Sequence, residues 1–210
     1  MNISQIERTK IARRSRTSRR KRKPPTVLTA EELRKLFTNS TDHVCGIMLR
    51  LIYGAGLRLN EIVRLRVEDL DFECMTISVQ KGGGDTRLTI MPRSLRVPLM
   101  REISCKTPDA FVFSLKRNGS APISPRTLQH YLSQKIRELS TPRITLQSLR
   151  ETFAVHMLEQ GLDARLVRQL MGYAHERSLA RYLDYVEELP ARLVSPMDFT
   201  GFGEVVSRAG

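Results

Sequence analysis

TLQSLRETFAVHMLEQGLDARLVRQLMGYAHERSLARYLDYV, residues 145 to 186, reads as three consecutive helices at about 147–160, 163–171 and 176–187. Gly161 and Gly172 separate them, since glycine readily takes the left-handed conformation that closes a helix. Leu162, Leu166, Val167 and Leu170 recur at helical spacing and belong to the core. His156, within VHML, falls on the apolar side of its helix and is expected to pack there. Working back towards the N-terminus, the run after Ser124 gives one more helix at about 125–139, with Pro142 beyond its end.

The first half of the chain has the same helical character with one interruption. Thr29 followed by Glu32 is a capping box that starts a helix through Leu36. Val44, Ile47, Met48, Leu51 and Ile52 place a second helix from about Asp42 to Gly54, where Gly54 and Gly56 end it. A short helix over Asn60 to Arg66 follows, and Asp69 and Asp71 turn the chain. Met75 to Val79 and Arg87 to Met91 flank KGGGD and predict a β-hairpin with a glycine-rich tip, and Phe111 to Phe113 is a second, brief strand signal. The expected fold class is therefore mixed α/β, mainly helical, with a small antiparallel sheet.

A net charge of +13 and a pI near 10.3 point to a polyanionic partner, because Lys and Arg neutralise phosphates and release their counterions. Much of that charge lies before Pro24, where Arg8, Lys10, Arg13, Arg14, Arg16, Arg19, Arg20, Lys21, Arg22 and Lys23 face the single acid Glu7. Residues 1–25 are read as a basic flexible arm suited to lying along a phosphate backbone, with a solvated tail as the alternative. Cys45, Cys74 and Cys105 are odd in number and widely spaced, which suggests neither a disulfide framework nor a zinc site. No apolar run has the length of a membrane span, and the basic start is not followed by a signal-peptide stretch, so a soluble intracellular protein is expected.

Cutting a phosphodiester needs an in-line nucleophile, cationic donors for the charge that grows on phosphate oxygens, and an acid for the leaving oxygen. The sequence holds no HExxH, no His/Cys cluster at ligand spacing and no convincing set of paired carboxylates, so neither a metal nor any other cofactor is expected. Arginines remain as the source of positive charge. In this light GAGLRLNEIVRLRVEDLDF (54–72), ISVQKGGGDTRLTIMP (77–92) and the opening stretch 145–186 resemble, in order, the three motif blocks of the tyrosine recombinase (phage integrase) family. Integron integrases and chromosome-dimer resolvases are the branches it is most similar to.

The resemblance implies the fold of that family's catalytic domain over residues 26–188, with 189–210 as a C-terminal tail packing on a neighbouring protomer. SPMD at 195–198 resembles the end of integron-type integrases. It further implies double-stranded DNA as partner, a homo-oligomer assembled on that DNA, and a place in the cytoplasm at the nucleoid. Arg58 and Arg150 would hold nonbridging oxygens of the scissile phosphate through their planar forks. Tyr182 would attack phosphorus to give a 3′-phosphotyrosyl link, with Tyr185 as the less favoured nucleophile. Lys81, on the hairpin tip, would protonate the leaving 5′-oxygen, or else serve only to keep a sheet edge soluble. Glu61 is read as a partner that orients a neighbouring arginine. Arg13, Arg14, Arg16, Arg19, Arg20, Lys21, Arg22 and Lys23, together with Arg87 on the hairpin, are the expected DNA contacts.

Two positions depart from the family pattern. Gln147 stands where a histidine is usual, and Tyr173 where histidine or tryptophan is usual. Glutamine donates a hydrogen bond but shuttles no proton near neutral pH, whereas a tyrosine hydroxyl still donates. His175 is the nearby imidazole that would compensate. The alternatives to an active recombinase are a weakened, recombinase-like DNA-binding protein and a type IB topoisomerase-like enzyme that relaxes DNA.

Overall fold

The computed structural model describes residues 25–38, 44–80, 86–116, 118–139, 144–173 and 194–199. Helix α1 (Ala30–Phe37) starts at the expected capping box, in which Thr29 Oγ1 accepts the Glu32 amide at 3.2 Å and Glu32 Oε2 accepts the Thr29 amide at 2.7 Å. Helix α2 (Val44–Ala55) is apolar on nearly every side and buried from Cys45 onward, as suits the central helix of a core. Even Arg50 is enclosed within it, and donates to the Phe37 carbonyl. Helix α3 (Leu59–Val63) is shorter than the expected 60–66, because the Arg64 amide turns back to the carbonyls of Glu61 and Ile62 and tightens the last turn.

The sheet is antiparallel in the order β1 (Leu70–Asp71), β2 (Thr76–Gln80), β3 (Thr86–Ile90). The hairpin register runs from Thr76 opposite Ile90 to Gln80 opposite Thr86, one residue from the expected limits. The expected strand at 111–113 makes only a single bridge, Phe111 to Arg66. Two elements have little sequence signature. Strand β1 is two residues long, and helix α4 (Arg96–Ile103) carries Pro98 in its first turn, where proline is tolerated although it reads as a breaker.

Helices α5 (Pro125–Leu139), α6 (Leu146–Glu159) and α7 (Ala164–Met171) match the sequence reading within a residue. Thr145 and Ser148 cap α6 reciprocally at 2.7 and 2.8 Å, Asp163 caps α7, and Gly172, with φ of 62°, closes it. Helix α2 packs along α6, and α7 rests on both α6 and β3. The residues expected in a helix at 176–187 lie outside the described residues, as do the basic arm and the KGGGD tip. No helix among the described residues is long and apolar enough to cross a membrane.

Of the tail expected to pack on a neighbouring protomer, residues 194–199 are described, and they lie on their own chain. Met197, in helix α8 (Pro196–Phe199), is fully buried in the main core, and Ser195 Oγ donates to the Gly54 carbonyl at 2.7 Å. Asp198 accepts the amides of Arg93 and Ser94 and the Ser94 hydroxyl at 2.7, 2.9 and 2.6 Å. An apolar plug and a carboxylate that meets orphan amides together make this a specific seat.

His156 packs as the sequence suggests, with Nδ1 2.9 Å from the hydroxyl of the buried Tyr53. Burial pushes its imidazole down to about 4. The unfolded chain, with an ordinary value of about 6.5, then binds a proton that the folded state refuses. Stability is therefore expected to fall as pH drops through the window between the two values, by up to roughly 1.4 kcal/mol per pH unit. Urea unfolding at several pH values checks this, and His156→Gln should flatten the slope.

Candidate active site

The site begins at the turn after α2. Gly56 has φ of 63°, and a Cβ there would stand 2.7 Å from the Phe153 ring, so the turn needs glycine both for conformation and for space. That turn delivers Arg58 just ahead of α3. Glu61, three residues on, accepts the Arg58 amide on Oε2 at 2.7 Å and pairs through Oε1 with Arg58 Nη1 at 2.9 Å. The RxxE spacing thus makes one compact unit, with the arginine held by the carboxylate that caps the helix it precedes.

Arg150 reaches the same place from α6. It is 3 % exposed, and its two Nη groups donate to the carbonyls of Gly56 and Met171, with Glu61 Oε2 3.8 Å from Nη1. A guanidinium carries five N–H donors, so donors remain after two carbonyls are served. Tyr173 lies beneath both arginines, its ring centroid 6.0 Å from Arg58 Cζ and 5.3 Å from Arg150 Cζ. Burial lowers Arg150 from the usual guanidinium value, and Tyr173 opposes that shift. The negative end of α7 also favours cations at this point.

These groups open on a cleft of about 940 Å³. Arg58, Asn60, Gln147, Arg150 and Tyr173 line it, as do Gln129 and Ser133 from α5, and leucine and isoleucine side chains form its flank. Arg58, with 43 % of its side chain exposed, is the guanidinium most open to a ligand. Gln147 is exposed on the first turn of α6, where its Nε2 donates to Glu151 Oε1 at 3.0 Å. Glu151 is itself buried, and its Oε2 accepts the Thr26 amide at 2.8 Å. Among the described residues no three His, Cys, Asp or Glu side chains stand where they could hold a metal ion. The arrangement suits an oxyanion, with preformed cationic donors set on a partly apolar wall.

The model of the phage integrase family matches residues 26–188. The chain belongs to the phage integrase family. Among its relatives within the family, tyrosine recombinase XerA of Pyrococcus furiosus is 34 % identical over 156 residues, which are 71 % of this chain and 54 % of that protein. Its counterpart from Pyrococcus horikoshii is 32 % identical over 155 residues, 72 % of this chain and 54 % of the relative. This integrase-family chain thus spans a little over half the length of those relatives. The crystal structure of XerA recombinase superposes with a TM-score of 0.66 at 22 % identity, covering 76 % of this chain and 60 % of that one. XerH site-specific recombinase bound to difH substrate gives 0.64 at 21 %, covering 77 % and 51 %. The fold is that of the tyrosine recombinase catalytic domain, mainly helical with a small antiparallel sheet, as expected from the sequence.

Of the site residues expected from sequence, Arg58, Gln147, Arg150 and Tyr173 line one cleft. Lys81, Tyr182, His175 and Tyr185 lie outside the described residues, as do Arg13, Arg14, Arg16, Arg19, Arg20, Lys21, Arg22 and Lys23. Arg87 requires a correction. It is 6 % exposed, enclosed between Glu61 and the end of α7, and so is turned away from any DNA that approaches the surface. Glu151, Gln129 and Ser133 were not anticipated. The i,i+4 spacing from Gln147 to Glu151 was a visible signal, whereas the two α5 residues lie on an ordinary polar helix face.

Proposed function

We propose that the chain is the catalytic part of a site-specific DNA recombinase that cuts and rejoins duplex DNA without a metal. The observation that carries this reading is the convergence of Arg58 and Arg150 above Tyr173 at one cleft. Two guanidinia at one phosphate meet the charge that develops during phosphoryl transfer. In this reading Tyr182 gives up its phenolic proton to solvent as Oη bonds to phosphorus, the bond to the 5′-oxygen breaks, and Lys81 supplies the proton to that oxygen. The phosphotyrosyl ester conserves the bond energy, so a 5′-hydroxyl from another strand reverses the step without ATP. Gln147 and Tyr173 donate hydrogen bonds to the phosphate. Residues 1–25 act as an arm on the DNA backbone, 26–188 as the catalytic domain, and the tail takes part in assembling protomers on DNA, at the nucleoid of the cell.

The test uses nicked duplex substrates from the flanks of the gene, in buffer containing EDTA, with denaturing gels to detect a covalent protein–DNA band. The expected band is lost in Tyr182→Phe and kept in Tyr185→Phe. A second reading, DNA binding without cutting, draws on the Gln147 amide, which is engaged with Glu151 and cannot shuttle a proton. Salt-sensitive binding with no adduct from wild-type protein would favour it.

A further inference from the structure

We infer that Arg87 is a positioning residue of the cleavage site, offsetting Glu61 so that Arg58 and Arg150 stay available to the phosphate. This rests on the recombinase reading above. An arginine at an inward position of a strand is costly unless its donors are met. Here Arg87 Nη2 pairs with Glu61 Oε2 at 2.7 Å and Nη1 donates to the Leu170 carbonyl at 2.6 Å, while Nε has no hydrogen-bond partner among the described residues. Gly172 lies so close that a Cβ on it would be 2.6 Å from Nε. The last turn of α7 therefore closes directly onto this guanidinium.

The charge arithmetic gives the arrangement its purpose. One carboxylate, 9 % exposed, faces three arginines. Arg87 takes the Glu61 oxygen that also lies 3.8 Å from Arg150, and Arg87 itself is out of reach of any ligand. The Oε2 oxygen of Glu61 is thereby met from inside the fold, so that Glu61 holds Arg58 through Oε1 alone and the net positive charge of Arg58 and Arg150 is left at the cleft. Consecutive carbonyls tie the same parts together, since Leu170 takes Arg87, Met171 takes Arg150 and Gly172 takes Arg58 at 3.0 Å. Without Arg87, the Glu61 oxygen turns to Arg150 or Arg58 and competes with the phosphate for them.

The experiment compares wild-type, Arg87→Met, Arg87→Lys, Glu61→Gln and the double variant Arg87→Met/Glu61→Gln. Three quantities are read: single-turnover adduct formation, duplex affinity, and the side-chain NMR signals of the Arg58 and Arg150 Nε–H groups. Arg87→Met is expected to slow adduct formation by about 10²-fold, the scale of losing one preorganised donor, with duplex affinity unchanged. The double variant should recover much of that rate, because neutralising Glu61 removes the competing partner. A purely structural role would instead give losses that add, and that result overturns the inference. If Arg87→Met does not fold, Arg87→Lys, which keeps the charge and reaches one acceptor, should show the same slowing at smaller amplitude, and a wild-type rate there overturns it. Should wild-type form no adduct, the recombinase reading fails separately. The NMR signals then decide, moving in Arg87→Met and returning in the double variant if Arg87 positions the pair, and staying fixed if it does not.

Discussion

Arg150→Gln is expected to lower the rate of adduct formation by roughly 10³-fold, the lower range for an arginine that stabilises phosphoryl transfer. The same change should also weaken the fold. Arg150 joins the Gly56 turn to the end of α7, and a shorter neutral amide leaves those carbonyls without their donor. A buried polar group left unpaired costs about 1–3 kcal/mol, so the two losses are separable only if both are measured. Urea unfolding reports the second and single-turnover cleavage, below the unfolding transition, reports the first. Arg58→Gln provides the contrast, since Arg58 is 43 % exposed and its carbonyl partner is one residue of the α7 terminus. It should lose rate on a similar scale with a much smaller loss of stability. Wild-type cleavage by a folded Arg150→Gln protein would remove this arginine from the mechanism.

Strand β3 explains both what could be read from sequence and what could not. In TRLTI the side chains that point inward are Arg87 and Thr89, while Leu88 is 61 % exposed, the reverse of the usual alternation for a half-buried strand. Pattern alone therefore turns Arg87 outward, towards DNA. The inward side of β3 meets the ends of two helices, where carbonyls have no intrahelical partner. Thr89 Oγ1 donates to the Ala55 carbonyl of α2 at 2.7 Å, and Arg87 donates to the Leu170 carbonyl of α7. Polar residues are buried there because they cap helices contributed by distant parts of the chain. Local rules, by contrast, worked where partners are close in sequence: Thr29 with Glu32, and Arg58 with Glu61. The convergence of Arg58 with Arg150 needed the Gly56 turn and the α7 terminus to meet, and only the ordered motif blocks hinted at that.

Gln147→His should raise the rate of adduct formation, by about 10² or more if a general acid or base is what the site lacks. The environment already favours such a group. Glu151 Oε1 lies 3.0 Å from the Gln147 amide nitrogen, one turn along α6, and the same carboxylate is anchored by the Thr26 amide. An imidazole in that place would have an anionic partner at hydrogen-bond distance, which favours its protonated form and raises its pKa above the usual value of about 6.5. The sign of the pH effect follows: with a raised pKa, the acid form is present below that value and is lost as pH rises through it. The gain in rate over wild-type should therefore fade as pH rises through that value, a step the wild-type profile lacks because a glutamine at this position does not titrate. Adding Glu151→Gln should move the fading to lower pH, because the imidazole loses the charge that holds its proton. A Gln147→His protein that cleaves no faster, and whose profile ignores Glu151, would mean that the rate is limited by Tyr173 or by the placement of the nucleophile, and that the amide at position 147 already supplies the hydrogen bond the phosphate needs.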